Sequence, residues 1–409
     1  MSAAPEPAAN QRPRRWPARL ALAAMAAVGL ALATAFAVYP VEYVRRALLW
    51  GNSDVDDQFR FSKREIAPAA PPREPPAAPD AQRVRAAFAA ALPGAVMDDW
   101  LAEQGTLAFV VMQHGKMLHE AYFNGQAREM PVTSFSVAKS ILATGVLCAL
   151  DQGLIASLDD PVTRWLPELG ARDSRFTRIT LRHLLRMHSG IRYRETRFLN
   201  GDDAKTYYWP DLRALALRET RIEAPPGGDF LYNNYHPLLL GLVLERATKM
   251  PVAAWTSRCL WQPAGLGPGA SWSLDGEATG FEKLESGVNA RAIDFVRFGQ
   301  LMLNGGVAED GTRVLSEALV REATGTEGAV SLEHLRPGAY YQLFWWGQRR
   351  NGGNHDFSAR GNHGQFIVVS PRNGVVIARF GTQYGVRPGE WVALLESVAE
   401  HLGASAASR

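Results

Sequence analysis

Cysteine is nearly absent: Cys148 and Cys259 are the only two in 409 residues. Two thiols cannot build a disulfide scaffold, and neither has zinc-ligand spacing. Both sit in apolar contexts, LCAL and RCLW. Buried free thiols are therefore expected, with one bridge between them as the remaining option. Charge of one sign is also lacking, since 44 Lys and Arg face 41 Asp and Glu for a net +3. The arginines are scattered outside the N-terminus, so no basic stripe marks a nucleic-acid surface. There is no G-x-S-x-G elbow, no H-E-x-x-H, no CxxC pair, no phosphate loop and no internal repeat. These absences remove the common metal, redox and nucleotide chemistries, and no cofactor or metal is expected.

One long apolar run is present. Arg12, Arg14, Arg15 and Arg19 precede an uncharged stretch from Leu20 to Tyr39. About 20 residues at ~1.5 Å each just cross a ~30 Å hydrocarbon layer. Arginines before the run favour a cytoplasmic N-terminus, with everything after it outside. The expected organisation is a basic tail (1–19), an anchor in the lipid bilayer (20–39), a juxtamembrane and linker region (40–80) and a catalytic domain (81–409). Ala35-Phe36-Ala37 also fits a signal-peptide cleavage site, and both readings export the domain. Residues 67–79 hold six prolines in APAAPPREPPAAP, a composition expected to form an extended spacer.

With 47% hydrophobic and 21% charged residues, the rest is an ordinary globular chain. TLAFVVMQHGKMLHEAYF (106–123) alternates around His114-Gly115-Lys116, the pattern of a hairpin. Helical periodicity runs from Ser136 to about Asp151 and recurs at 181–191, 236–248 and 292–306. YYQLFWWGQ, GQFIVVSP and GVVIARFG read as three strands, followed by a helix over 390–402. The expected fold class is mixed α/β (α+β): an antiparallel sheet from the first and last thirds, flanked by helices, with a helical subdomain between.

Three stretches carry chemistry. In SFSVAKS, Ser136 and Lys139 lie one helical turn apart, so hydroxyl and amine can meet. A helix start there presents backbone N–H groups and disfavours an ammonium, as does burial. In LYNNYHP, Tyr232 stands just before an apolar helix, where a neighbouring lysine cation would favour its phenolate. Asn234 is expected to hold that lysine. In FSARGNHGQFIVVSP, Gly361 and Gly364 let the backbone approach a ligand closely, and His363 is the side chain expected to face the pocket. An N–H there, opposite that of Ser136, would complete an oxyanion hole. Trp345 and Trp346 read as core and rim aromatics, one of them able to line a pocket.

Together these stretches resemble the serine β-lactamase and penicillin-binding-protein superfamily. The resemblance is to its class-C-related branch of esterases, D-amino-acid peptidases and nylon-oligomer hydrolases, over residues 90–402. It implies that Ser136 is acylated, that Lys139 is its lysine, and that Tyr232 and Asn234 form the Tyr-x-Asn element. The third motif departs from the family's Lys-Thr-Gly. With Gly361 as its glycine, Ala359 and Arg360 replace the lysine and threonine and Asn362 supplies the oxyanion N–H. In the other register, His363-Gly364 takes that place. In either register the usual carboxylate-binding lysine is missing and Arg360 is the substitute carboxylate partner, so a small-molecule or short-peptide ester or amide gains weight over a β-lactam. A non-catalytic envelope protein using the same pocket, and an acyltransferase, are the alternatives.

Overall fold

The alternating stretch 106–123 forms the hairpin that seeds the main sheet. The computed structural model describes residues 16–196 and 199–407. Strands β2 (Thr106–Gln113) and β3 (Lys116–Tyr122) pair antiparallel. The turn between them places His114 at φ 49° and Gly115 at φ 75°. Two left-handed residues in a row match the twist of the flanking strands.

Twelve strands, numbered along the chain, form two sheets among the described residues. The small sheet joins β1 (Lys63–Glu65), β5 (Ser271–Ser273), β6 (Val288–Ala290) and β4 (Val132–Thr133). The large one adds β7 (Val330–Ser331), β8 (Ala339–Gln342), β9 (Trp345–Arg349), β10 (His355–Gly361), β11 (Gln365–Ser370) and β12 (Val375–Gly381). Its order is β3-β2-β12-β11-β10-β9-β8-β7, antiparallel throughout.

The sheet is buried on both faces, and the side-chain period of two sorts its residues between two cores. Val110 of β2, Ile367 of β11 and Ala378 of β12 face the helical region, whereas Val111, Val368 and Ile377 face the other side. That second face is covered by helices Ala81–Ala91 and Pro388–Ala407. The helical region packs Ala138–Asp151 against Tyr235–Thr248, with Trp255 Nε1 donating to the Gly145 carbonyl at 2.9 Å.

Several expectations change. YYQLFWWGQ is not one strand but β8, a tight turn and β9, with Leu343 and Phe344 at φ 38° and 65°. Cys148 and Cys259, by contrast, are buried and free as expected. The proline-rich stretch is not a spacer, and the compact unit begins at Asn52, not near Ala81. β1 is hydrogen-bonded into the small sheet, Ile66 is fully buried, and Arg73 pairs with Asp310 and the Pro263 carbonyl. Proline lacks only an N–H, so its carbonyls and its neighbours' side chains remain free to dock.

The other unit, Met1–Gly51, is described from Trp16, so Arg12, Arg14 and Arg15 lie outside the described residues. It contains helices Trp16–Val38 and Val41–Trp50. Leu20–Val38 has mean hydropathy 2.2 and is exposed along its length. Among the described residues it is the one helix long and apolar enough to cross a membrane.

Candidate active site

The chain leaves β4 through a strained turn. Ser134 N–H donates to the Val288 carbonyl at 2.8 Å, and Phe135 then takes φ 42°. An aromatic residue resists that conformation, so its surroundings must impose it. A single 3-10 turn, Phe135–Val137, holds Ser136 just ahead of helix Ala138–Asp151. The helix thus starts two residues later than expected, and the serine stands before its first turn.

Lys139 is 1% exposed. Its Nζ lies 2.9 Å from Ser136 Oγ and donates to the Glu285 main-chain carbonyl at 2.8 Å. Burial pushes its pKa down to about 7; the Glu285 carboxylate opposes this and the Lys283 ammonium adds to it. Burial thus moves the amine toward its neutral form near physiological pH, the form a general base needs. Behind it, Lys283 Nζ donates to Glu285 Oε1 at 2.8 Å, and Ser286 Oγ donates to the same oxygen at 2.8 Å.

Tyr232 meets this pair from the start of helix Tyr235–Thr248. Its ring lies 4.9 Å from Lys139 Nζ, measured to the centroid, and stacks on Trp346 at 5.7 Å. Burial raises the phenol pKa, outweighing the opposite effect of its hydrogen bond with the Ser136 hydroxyl. This reverses the expectation of a lysine-stabilised phenolate: the amine faces the ring, and the phenol stays protonated. Asn234 does not hold Lys139 either. Its Nδ2 donates to Tyr193 Oη at 2.8 Å, and its buried Oδ1 has no partner among the described residues.

β10 closes the site. A Cβ on Gly361 would sit 2.4 Å from the Ser134 carbonyl oxygen, so only glycine allows the strand this close to the serine turn. A cavity of about 330 Å³ opens on Ser136, lined by Tyr232, Trp346, Arg360, Asn362 and Tyr384 among others. Arg360 Nε donates to Ser358 Oγ at 2.8 Å, and its guanidinium lies over Trp346. Burial lowers its pKa to about 10, which leaves it charged at neutral pH. Tyr384 Oη donates to the Gly361 carbonyl at 3.3 Å.

His363 and Gly364 do not line the cavity, which favours the register through Gly361 and Asn362. His363 Nε2 donates to the Ser53 carbonyl at 2.8 Å, and its ring lies against Phe135. Gly364, at φ 81°, makes room for Arg379 from β12. That guanidinium donates to the carbonyls of Gly364, Gln383 and Gln104 and to Thr106 Oγ1, tying down the turn after Gly361. Sequence reasoning missed Glu285, Arg379 and Tyr384. Glu285 acts on Lys139 through a main-chain oxygen, which leaves no trace in residue type. Arg379 lies inside GVVIARFG, where it reads as an outward-facing strand residue.

Comparison with known proteins identifies the family. Residues 95–390 match the family model described as Beta-lactamase. The 6-aminohexanoate-dimer hydrolase of Paenarthrobacter ureafaciens is 31% identical over 343 residues, covering 78% of this chain and 83% of that protein. Esterase EstB of Burkholderia gladioli is 34% identical over 212 residues, 46% of this chain and 53% of its own. A solved structure from Bacillus anthracis, provisionally named a 6-aminohexanoate-dimer hydrolase, superposes with TM-score 0.72 at 22% identity, covering 85% of this chain and 92% of that one. The chain belongs to the beta-lactamase family of serine hydrolases.

Proposed function

We propose that the protein is a membrane-anchored serine hydrolase that cleaves an ester or amide through an acyl-enzyme on Ser136. The observation that carries this reading is the 2.9 Å approach of a buried lysine, its pKa lowered to about 7, to a serine at the mouth of a cavity. Neutral Lys139 takes the Ser136 proton as Oγ bonds to the carbonyl carbon. The backbone N–H groups of Ser136 and Asn362 receive the oxyanion. The C–O or C–N bond breaks, and the proton reaches the departing alcohol or amine by way of the Tyr232 hydroxyl. Water then attacks the acyl group, returns its proton along the same route and frees the serine.

Relatives named for an amide dimer and for an esterase support an ester or amide substrate. Arg360 supports a carboxylate on that substrate: among the described residues it has no ion-pair partner, and a guanidinium on an aromatic ring suits such a group. The apolar helix Leu20–Val38, with arginines before it, supports an anchor that leaves the catalytic domain in the periplasm or outside.

Replacing Ser136→Ala should abolish hydrolysis of short-chain p-nitrophenyl esters and labelling by an active-site-directed phosphonate. Labelling that persists at this position in the variant would refute the acyl-enzyme. A panel of p-nitrophenyl esters, a chromogenic cephalosporin and D-alanyl peptides, tried on the intact chain, identifies the substrate class.

A further inference from the structure

The left-handed Phe135 sets the position of Ser136, and its ring is held on two sides. Tyr207 stacks on it at 6.5 Å with planes 14° apart, and His363 lies at 5.0 Å. Both of these side chains are tied to the segment that follows the N-terminal unit. The Ser53 carbonyl accepts from His363 Nε2 at 2.8 Å. Tyr207 Oη donates to Asp57 Oδ2 at 2.9 Å.

Asp57 is 1% exposed and is itself fixed. The Asp54 N–H donates to it at 2.9 Å and Arg60 Nη1 at 2.7 Å. Phe61 meets the Tyr207 ring edge-on at 5.8 Å. The Lys283 ammonium lies 4.2 Å from the Tyr207 centroid and 4.6 Å from that of Phe61. That ammonium pairs with the carboxylate of Glu285, the residue whose carbonyl receives Lys139. One short segment therefore braces the turn before the nucleophile and the loop behind its base.

We infer that Ser53, Asp57 and Phe61 belong to the catalytic centre as positioning residues, setting Ser136 through Tyr207, His363 and Phe135. This rests on the acyl-enzyme reading above and adds to it a part of the chain that the sequence alone assigns to the juxtamembrane and linker region 40–80. A backbone held in a disfavoured conformation relaxes when its supports are removed, and a serine displaced by even ~1 Å can lose on the order of a hundredfold in rate. The cavity walls Trp346, Arg360 and Tyr384 belong to other elements, so ground-state binding should be spared.

The test uses the full chain carrying Asp57→Ala, Asp57→Asn, Tyr207→Phe, the double variant Asp57→Ala/Tyr207→Phe, or the exposed control Phe59→Ala. Phosphonate titration counts competent sites, and steady-state hydrolysis of a p-nitrophenyl ester gives kcat and KM per titrated site. Asp57→Ala and Tyr207→Phe should each lower kcat about ten- to a hundredfold with KM within about threefold. The double variant should be no worse than either, because both break one link. Asp57→Asn keeps an acceptor oxygen for Tyr207 and should recover most of the rate, and Phe59→Ala should match the parent. Unchanged kcat per titrated site in Asp57→Ala and Tyr207→Phe would overturn the inference, as would a loss fully explained by fewer titratable sites. A parent enzyme that is not labelled at Ser136 would overturn the acyl-enzyme reading and this inference with it.

Discussion

Two cations flank Ser136, one buried behind it and one half-buried on the cavity wall, and desolvation has opposite consequences for them. On the helix side, behind Ser136, Lys139 is brought to about 7 and can be neutral when substrate arrives. On the strand wall, Arg360 is brought to about 10 and stays charged. The direction and leading cause are the same in both; the starting values differ. An ammonium starts near ~10.4 and a guanidinium above ~12, so desolvation brings one toward its neutral form near pH 7 and leaves the other charged. Their neighbours reinforce the split. Lys139 faces a serine hydroxyl and a carbonyl, whereas Arg360 lies on a ring face and points into open cavity.

The sharpest way to break this contrast is to remove the lysine. Lys139→Met should lower kcat/KM by about 10²–10⁴-fold, read with any ester the parent cleaves. It should also raise the melting temperature at pH 7, because no amine then has to be desolvated. The sign follows from linkage. The native lysine titrates near 7 and the unfolded one near ~10.4, so between these values the unfolded chain binds more protons and parent stability rises with pH. The melting-temperature advantage of the variant should therefore shrink from pH 7 toward pH 10, as calorimetry over that range can check. In the parent, log kcat/KM should fall with unit slope below about pH 7 as Lys139 takes up its proton. A flat profile through neutrality would remove the lysine from the role of base.

A smaller effect is expected on the opposite wall. Arg360→Leu should cost about ten- to a hundredfold in kcat/KM on esters that bear a carboxylate and leave neutral esters within about threefold. The acid limb of the pH profile should not move. Equal losses on both ester classes would mean that Arg360 supports the fold and does not read charge. The smallest effect belongs to Tyr384→Phe. Its hydroxyl donates to the Gly361 carbonyl, part of the same peptide group as the Asn362 N–H. Losing that polarisation should lower kcat by about two- to tenfold with KM unchanged.

Legibility differed from one part of the site to another. Ser136 and Lys139 were readable because their contact spans a single helical turn, where spacing dictates geometry. The central strands were readable because a sheet buried on both faces demands runs such as FVV and FIVV. Asn234 misled because the motif placed it near the lysine, while its Nδ2 donates to Tyr193 instead. His363 misled because a histidine beside glycines looks like a pocket residue until Ser53 is found against its ring. The proline-rich stretch misled because composition reports what a segment cannot do alone and says nothing of a surface it can dock on.

By itself the sequence pointed to Ser136, Lys139 and Tyr232 as one candidate cluster, and to the antiparallel sheet and the apolar N-terminal helix, all through spacing or a run of like residues. Tertiary structure alone decided which group is neutral at physiological pH, since burial of Lys139 and Tyr232 depends on chain that arrives from far away. It also decided that residues 52–80 are part of the catalytic unit, because docking depends on the shape of a surface that no local pattern encodes.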